Sequence, residues 1–460
     1  MSGLVNALNI GKSSLLAGQK AIEVTGNNIS NVNTPGYSRE VPIFSDFPSI
    51  EMRGFFVGRG AQVALVDREH DAFITRQIQE KSAGLGDAEA KADPLTELER
   101  IISISDNSLA SKIDEFFGSW QDLSIDPSSR TSRETVIISG EHLATAFSQT
   151  IEDLNTLRRN LDINLISHVE ELNAKLDEMV SLNGRITTIE ATGQIALADR
   201  DRRDLLVQEI SAALGTRSVE SPTTGQVSLF LPNGIPVLQD AYCLNLSYDN
   251  SGDYLDVYLE INSQRVSFST DNIGGSFSGM LQMRDEFIPD VIADLDQLAY
   301  NLAIEVNQVH QWGTGLDGGF SRPFFTPPAQ ATGSAKALSV AISDYRQVAA
   351  GRSDATGDNT NALDIAALGQ AQNMNGTESY VEFYSSLASR IGTESRQNQL
   401  ALAGSQDSLE QLSNLRDAKV GVSLEEEMIN LLKYQRSFEA SAKFVATIDE
   451  VMDSLLSLKR

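Results

Sequence analysis

Apolar residues recur at helical spacing near both ends of the chain. Alternating steps of four and three predict a first helix over about residues 2–29 and a last helix over about residues 424–458. Apolar residues at this spacing form a narrow stripe, or seam, along one face of a helix. A seam packs either on the helix's own domain or on another helix, and two seams at opposite ends of the chain favour pairing with each other or with neighbouring copies. The first seam holds Leu4, Leu8, Gly11, Leu15, Gly18, Ile22, Thr25 and Ile29, and the second holds Leu424, Met428, Leu431, Gln435, Phe438, Ala442, Val445, Asp449, Met452 and Leu456.

Helical spacing also dominates much of the interior. It predicts helices from about residue 71 to 215, with breaks near Asp126-Pro127 and Thr192-Gly193, and again over about residues 277–311 and 379–418. One seam runs from Leu154 to Leu182 and includes His168, which we therefore expect to be partly buried. The Gly-, Ser- and Thr-rich stretch 313–376 predicts loops around short elements.

Two stretches change to the period of a strand. Residues 41–66 predict a strand-rich link after the first helix. Between about residues 217 and 273, Val227, Leu229 and Leu231 alternate with other side chains, and residues 249–253 suit a hairpin loop. An insert of this kind is expected to project outward, with its two crossings into the helical body close together.

The pattern therefore predicts a mainly α protein with a smaller β-rich inserted domain. Long helices from the N- and C-terminal halves pack together, and the terminal helices form a coiled-coil-like assembly element. The predicted units are an N-terminal assembly helix and link, the first half of the helical body, the β-rich outward insert, the second half of the body, and a C-terminal assembly helix. They cover residues 1–66, 67–216, 217–275, 276–418 and 419–460.

Composition narrows the possible partners. The 460 residues include 41% hydrophobic side chains, enough for a sizeable core, and the formal net charge is −27. A strongly acidic surface repels phosphate backbones and anionic lipid, so nucleic acid and membrane are not expected as partners. The sequence shows neither a run of roughly 18 apolar residues nor the pattern of a secretory signal peptide.

Candidate catalytic and metal-binding patterns are weak throughout. Gly11-Lys12-Ser13 resembles the end of a phosphate-binding loop, but Asn6 stands where that loop needs a glycine. The histidines are scattered, and Cys243, the only cysteine, is expected to be a buried, inert thiol. The charged run 199–204 alternates in sign and predicts a salt-bridged helix face, while the acidic run 425–427 suits a helix start. We therefore predict no catalytic residue, no cofactor and no metal.

One longer motif carries a resemblance to a known family. Residues 25–39, TGNNISNVNTPGYSR, resemble the N-terminal signature of the axial rod, hook and hook-associated proteins of bacterial flagella. The NTPGYSR ending resembles the hook-associated protein 1 family in particular, the hook–filament junction proteins. Weaker matches extend the resemblance over nearly the whole chain, at residues 57–63, 201–206, 279–310, 357–363 and 424–456.

The resemblance implies a non-enzymatic tube subunit whose terminal helices pack in the assembly. It implies secretion to the flagellum through the type III export apparatus, without a cleaved signal. The expected partners are copies of this chain, the hook protein, the adjacent hook-associated protein 3, and a cytoplasmic export chaperone at the C-terminal region. The predicted assembly residues are Leu4, Leu8, Leu15, Ile22, Ile29, Asn27, Asn28, Asn31, Thr34, Pro35, Gly36, Tyr37, Leu424, Met428, Leu431, Phe438, Ala442, Val445, Met452 and Leu456.

Two alternatives stay open from the sequence. In the same class, the chain is a flagellin or the neighbouring junction protein, although their N-termini lack the Asn-rich Thr-Pro-Gly-Tyr ending. In a different class it is a cell-surface hydrolase, because a few axial proteins carry an enzymatic domain. The lack of a nucleophile or metal pattern argues against the hydrolase, and peptidoglycan and peptide substrates would separate the two.

Overall fold

The computed structural model describes residues 2–52, 55–105, 107–252, 254–261, 264–353 and 355–457. Asp253 of the predicted hairpin loop and Leu458 of the predicted last helix lie outside the described residues. The helices are α1 Ser2–Ser30, α2 Ala72–Ile101, α3 Leu109–Ile125, α4 Arg130–Glu190, α5 Leu197–Leu214, α6 Gly275–Leu281, α7 Ile288–Gln311, α8 Ser334–Ala337, α9 Thr360–Leu368, α10 Tyr380–Val420 and α11 Leu424–Ser457. A π-helical turn, Gln282–Phe287, joins α6 to α7, and a 3-10 turn covers Tyr345–Gln347.

The strands are short and pair antiparallel. They are β1 Glu40–Asp46, β2 Ile50–Met52, β3 Phe55–Val57, β4 Ala61–Arg68, β5 Arg217–Glu220, β6 Val227–Phe230, β7 Pro236–Gln239, β8 Tyr242–Cys243, β9 Leu246–Asp249, β10 Asp256–Ile261 and β11 Gln264–Ser267. In the link, β1 pairs with β4 and β2 with β3. In the insert, one sheet has the order β5-β6-β7-β8 and the other β11-β10-β9.

Local signals explain why several helices begin where they do. The side chains of Asp71, Ser108 and Ser129 accept hydrogen bonds from the first-turn amides of α2, α3 and α4. Helix α10 begins with a capping box, in which Ser379 and Glu382 satisfy each other's backbone amides. Side-chain caps therefore fix where these long helices start.

The body, which we define as residues 71–214 and 275–420, is held by one continuous apolar core that extends into the insert. The seam of α4 is buried over its length, from Leu154 to Ile186, and packs against α5, α7 and the insert. At one end an aromatic cluster fills the space between α3, α7 and the loop that follows α7. Phe116, Trp120 and Phe324 are all fully buried there, with ring centroids 5.5 Å apart for the Phe116–Phe324 and Trp120–Phe324 pairs.

The insert leaves and re-enters the body at one point. Gly215, in the left-handed conformation with φ of 68°, ends α5, and the amide of Gly274 donates to the carbonyl of Leu214 at 2.9 Å. The two crossings are therefore adjacent, as predicted. The sheets pack directly on the body. Val227 and Leu229 belong to the same apolar core as α4. The side chain of buried Asn183 in α4 also hydrogen-bonds the backbone amide and the carbonyl of Val227.

The predicted fold class is confirmed. The breaks near residues 126 and 192 occur where expected, but α2 ends at Ile101 and α3 begins at Leu109 after the Ser108 cap, which adds a break that we did not predict. Two residue-level expectations are wrong. His168 is exposed because the seam passes through Val169 instead, and Cys243 is only half-buried because it lies in a two-residue edge strand.

Candidate assembly surface and its base

Helices α1 and α11 pack against each other in antiparallel orientation and form what we call the terminal pair. Gly11 lies against Val445 and Phe444, and Gly18 lies against Phe438. A Cβ at Gly11 would overlap the Val445 side chain, while one at Gly18 would stand 3.6 Å from the Cβ of Phe438. The two glycines, which interrupt the predicted seam of α1, are therefore the recesses that receive the larger side chains of α11.

The buried face of α1 differs from the prediction. Leu4, Leu8, Leu15, Ile22 and Ile29 are only partly covered, and the neighbouring Leu16 is 58% exposed. We predicted the seam from large apolar side chains, whereas two helices that approach this closely need small ones between their axes. The buried positions are Gly11, Ala17, Gly18, Ala21, Val24, Thr25 and Asn28.

The contacting face of α11 overlaps half of the predicted set. Leu431, Phe438, Val445 and Met452 lie on it, although Phe438 remains 36% exposed. The predicted residues Leu424, Met428, Ala442 and Leu456 are exposed instead. Steps of three and four fit either of two phases around a helix, and the sequence did not distinguish them. The observed face has the heptad spacing Glu427, Leu431, Tyr434, Phe438, Ser441, Val445, Ile448 and Met452.

A buried polar cluster closes the base of the terminal pair, where α1 ends and α11 begins. Asn28 is 1% exposed, and its amide nitrogen donates to the Glu40 carbonyl at 2.8 Å and to the Glu427 carboxylate at 3.1 Å. Its amide oxygen accepts from the Tyr37 hydroxyl at 2.8 Å and from the Glu40 amide at 2.9 Å. Every hydrogen-bonding group of this side chain is therefore satisfied within the chain.

Glu427 is 2% exposed and carries the negative charge of this cluster. Its carboxylate accepts from Asn28 and, at 2.8 Å, from the Arg39 guanidinium, which also pairs with Glu426 at 3.3 Å. A buried carboxylate is stable only when it is paired and hydrogen-bonded, and both conditions are met here. We call Asn28, Tyr37, Arg39, Glu40 and Glu427 the basal cluster.

A second set of contacts joins the base to the body. The Asp201 carboxylate of α5 accepts from the Ser38 amide at 2.9 Å and from the Arg68 guanidinium at 2.7 Å. Arg68 also pairs with Asp204 at 2.7 Å, and both carboxylates keep the pKa of its guanidinium raised against the opposing effect of burial. We call Ser38, Arg68, Asp201 and Asp204 the body contact. Residues 38 and 39 thus face the body on one side and the terminal pair on the other.

The predicted motif residues divide between this base and the surface. Burial, followed by the nearby Glu40, Asp201 and Glu427 carboxylates, raises the pKa of Tyr37 well above its usual value. Gly36, with φ of 78°, adopts a conformation that favours glycine and lies beside Leu205 of α5. In contrast, Asn27, Thr34 and Pro35 are exposed, and Asn31 is partly covered and bonds mainly to Asn27. The motif therefore serves contacts within the chain at Asn28, Gly36 and Tyr37.

Seven residues of the basal cluster and the body contact are absent from the predicted assembly residues: Ser38, Arg39, Glu40, Arg68, Asp201, Asp204 and Glu427. Asp201 lies in the run that we predicted to be a salt-bridged helix face, and it is buried rather than solvated. Glu427 lies in the acidic helix start, where only the third of three glutamates is buried. Both runs were visible as charged patterns, but the partners of Asp201 lie 133 and 163 residues away in sequence, and those of Glu427 lie 388 and 399 residues away.

Within the described residues the structure gives no support to metal chemistry. No group of three or more His, Cys, Asp or Glu side chains in that part of the chain converges on a common point. Burial, with the nearby Asp177, raises the pKa of the Cys243 thiol and so disfavours the reactive thiolate. Among the described helices, none combines the length and hydropathy needed to cross a bilayer.

Three family models match the chain. The model described as "Flagellar hook-associated protein FlgK helical domain" matches residues 95–325, just over half of the chain. The model "Flagella basal body rod protein" matches residues 8–37, and "Flagellar basal body rod FlgEFG protein C-terminal" matches residues 418–458. The last two matches fall on the two segments that meet in the terminal pair and its base.

Full-length relatives and a solved structure agree with these matches. Proteins named flagellar hook-associated protein 1 from Bacillus subtilis and Escherichia coli are 27% and 25% identical to the chain, and the alignments cover 99% and 100% of both partners respectively. The structure of the flagellar hook junction protein FlgK from Burkholderia pseudomallei matches with a TM-score of 0.67 and 14% identity. That match covers 74% of this chain and 99% of the other, and it supports the fold.

Proposed function

The chain belongs to the FlgK family of flagellar hook-associated proteins, and from that premise we propose that it is a structural subunit of the hook–filament junction that self-assembles through its terminal helices. The family is a structural component of the flagellum, and its members assemble with other flagellar components. One observation carries the proposal. The two segments that match rod-protein models at opposite ends of the sequence form one helix pair, and that pair leaves large apolar side chains uncovered.

The uncovered side chains indicate where other subunits bind. Leu16 of α1 and Leu424, Met428, Ile429 and Leu432 of α11 are each about half exposed or more. Large apolar side chains grouped in this way are typical of surfaces that become buried in an assembly. We propose that copies of this chain cover them. Within the junction, the hook protein is the partner on one side and hook-associated protein 3 on the other.

The same proposal assigns roles to the other segments and to the export route. The β-rich insert, residues 217–275, faces outward from the helical body, and residues 1–66 and 419–460 are the assembly elements. The chain reaches the flagellum through the type III export apparatus without a cleaved signal, and a cytoplasmic chaperone binds its C-terminal region before export. It carries out no catalysis of its own.

Localisation on purified flagella tests the proposal. An epitope placed in the exposed loop at residues 250–252, between β9 and β10, should be detected by immunogold labelling only at the boundary between hook and filament. A chain ending at residue 423, which lacks α11, should be absent from the flagella of a strain without the native protein. Label along the whole filament, or normal incorporation of the shortened chain, would contradict the proposal.

A further inference from the structure

The apolar contacts of the terminal pair do not by themselves define its register. Gly11 and Gly18 are seven residues apart in α1, and the side chains that fill them, Val445 and Phe438, are seven residues apart in α11. Because the helices are antiparallel, a shift of one heptad places Val445 at Gly18 and Met452 at Gly11. The opposite shift places Phe438 at Gly11 and Leu431 at Gly18. In both cases a large apolar side chain again meets each glycine.

The connections at the base leave room for such a shift. A heptad corresponds to roughly 10 Å along a helix axis. The nine residues 31–39 join α1 to β1, and nine residues can span up to about 30 Å when extended. The covalent link between α1 and β1 therefore does not by itself fix the position of α1 along the axis of α11.

The basal cluster does distinguish the registers. We infer that hydrogen bonding between buried Asn28 and Glu427, completed by Arg39, selects the observed register of the terminal pair against shifts of one heptad. Both residues lie on the contacting faces of their helices, at positions otherwise occupied by apolar or small side chains. A buried polar residue at such a position can fix register in coiled coils.

Either shift would separate Asn28 from Glu427 and break this cluster. In the first shift, Asn28 faces the region of Tyr434, and Glu427 passes beyond the end of α1. In the second shift, Glu427 faces the region of Ala21 and Ile22, where neither side chain can donate a hydrogen bond. Each shift separates the Asn28 amide from the Glu427 carboxylate, and the loss of a hydrogen bond between buried polar groups is unfavourable, so both shifted registers are disfavoured.

The inference goes beyond the proposed function, and its test does not depend on assembly. The register determines which residues of α1 and α11 remain exposed, and therefore which surface the terminal pair offers to other subunits. Only that consequence rests on the proposed function. A shifted pair would present a different surface from the same sequence.

Disulfide trapping in the full-length chain reads the register directly. In a Cys243→Ser background, Gly18→Cys with Phe438→Cys reports the observed register, because the relevant Cβ atoms lie about as close as in a disulfide. Gly18→Cys with Val445→Cys reports the first shift, and Gly11→Cys with Phe438→Cys reports the second. Oxidation at low protein concentration, followed by non-reducing electrophoresis of the monomer band, gives the yield of each cross-link.

We expect the observed-register product to exceed both shifted products by about tenfold or more, the ratio given by a preference of about 1.4 kcal/mol. The double substitution Asn28→Leu and Glu427→Leu should bring the three yields within about threefold of one another, because apolar replacement of a buried polar pair often preserves packing. The matched control is Asn9→Leu with Glu439→Leu, which changes the same residue types at exposed positions of α1 and α11 away from the basal cluster. This control should keep the tenfold ratio, as should Glu427→Gln, which retains a hydrogen-bonding side chain.

Three results would overturn the inference. An unchanged ratio in the double variant that carries both Asn28→Leu and Glu427→Leu would show that other contacts fix the register. Equal loss of the ratio in the exposed control would show a general effect on the helices. Failure of the observed-register pair to cross-link in the otherwise native chain would show that the terminal pair does not form in this arrangement. A junction that fails to assemble while the cross-link ratios hold would instead contradict only the proposed function.

Discussion

The body and the terminal pair are both built from long helices, but they bury different kinds of side chain. In the body, Phe116, Trp120 and Phe324 are fully enclosed, and the core continues without interruption along α4 into the insert. In the described part of α11, only Glu427 and Ile448 are buried. The body therefore has the core of an independently folding domain, whereas the terminal pair has a polar base and an apolar contact face that is only half covered.

This difference separates two ways of stabilising a helix. A helix in the body is stabilised by apolar area removed from water within the chain. A helix of the terminal pair needs a partner surface, because isolated helices are marginal in water, and the glycines at positions 11 and 18 lower helix stability further. Four substitutions, ordered from the core of the body to the terminal pair, test this difference. The loss of unfolding free energy should decrease in that order.

The largest effect is expected in the aromatic core. Phe116→Ala removes a fully buried ring and leaves a cavity among Trp120, Phe324 and Phe325, so the free energy of unfolding should fall by about 3–5 kcal/mol. Urea unfolding followed by circular dichroism measures it. Phe73→Ala, at a position 67% exposed on α2, is the control and should change the free energy little. Similar losses for the two variants would mean that the aromatic cluster is not the core.

The next effect concerns His310, which is fully buried in the same cluster. Its Nε2 accepts from the Ala349 amide at 3.0 Å, so the proton resides on Nδ1, which donates to the Arg322 carbonyl at 2.7 Å. Burial, aided by the charges of Arg322 and Arg133, lowers its pKa from 6.5 to about 4. As the pH falls, the unfolded chain binds a proton at His310 before the folded chain does. The stability that comes from burying the neutral imidazole is therefore complete above pH 6.5 and is lost as the pH falls toward 4.

We expect His310 to cost the protein roughly 3 kcal/mol of stability between about pH 7 and about pH 4. The substitution His310→Gln should flatten this part of the profile of unfolding free energy against pH, whatever its effect at neutral pH. His142→Gln, at an exposed position on α4, should leave the slope unchanged. An acid slope that persists in His310→Gln would assign the proton uptake to another group, of which His70, whose pKa burial also lowers, is the first to examine.

A smaller loss is expected at the body contact. Asp201→Asn removes one of the two carboxylates that pair with the nearly buried Arg68, and should lower the free energy of unfolding by roughly 1–3 kcal/mol. The rate of hydrogen exchange at the Ser38 backbone amide, which donates to Asp201, should increase at the same time. Asp199→Asn is the matched control, since this aspartate lies in the same turn but pairs with the exposed Arg185 of α4. Equal effects would indicate a general charge effect at the start of α5.

The smallest change in the isolated chain is expected at Phe438. Its side chain remains partly exposed beside Gly18, so Phe438→Ala should cost well below the roughly 3 kcal/mol of a fully buried phenylalanine. In cells the same substitution should cause filaments to be shed, because neighbouring subunits lose the apolar contact that this side chain provides. Thermal melting of the monomer and counts of attached filaments measure the two effects. A large fall in monomer melting temperature would place α11 in the core of the single chain.

Much of the architecture was determined by the sequence alone. The switch from helical to strand period and back located the insert, and the pair of helices at the chain ends followed from their seams. These features depend on short-range rules, because the period of apolar residues and the preferences of Gly, Pro and Asn act within a few positions along the chain.

Tertiary structure alone decided which face of each terminal helix is buried and which charges meet. The seam of α11 fits two phases that share Phe438 and Val445, and only packing against α1 selects the phase that adds Glu427 and Ile448. Likewise, the sequence shows Asn28 in a polar motif and Glu427 in an acidic run, but not that they bond to each other. Helical period is a property of one segment, whereas face, register and buried charge pairs depend on the shape and polarity of a surface supplied from the opposite end of the chain.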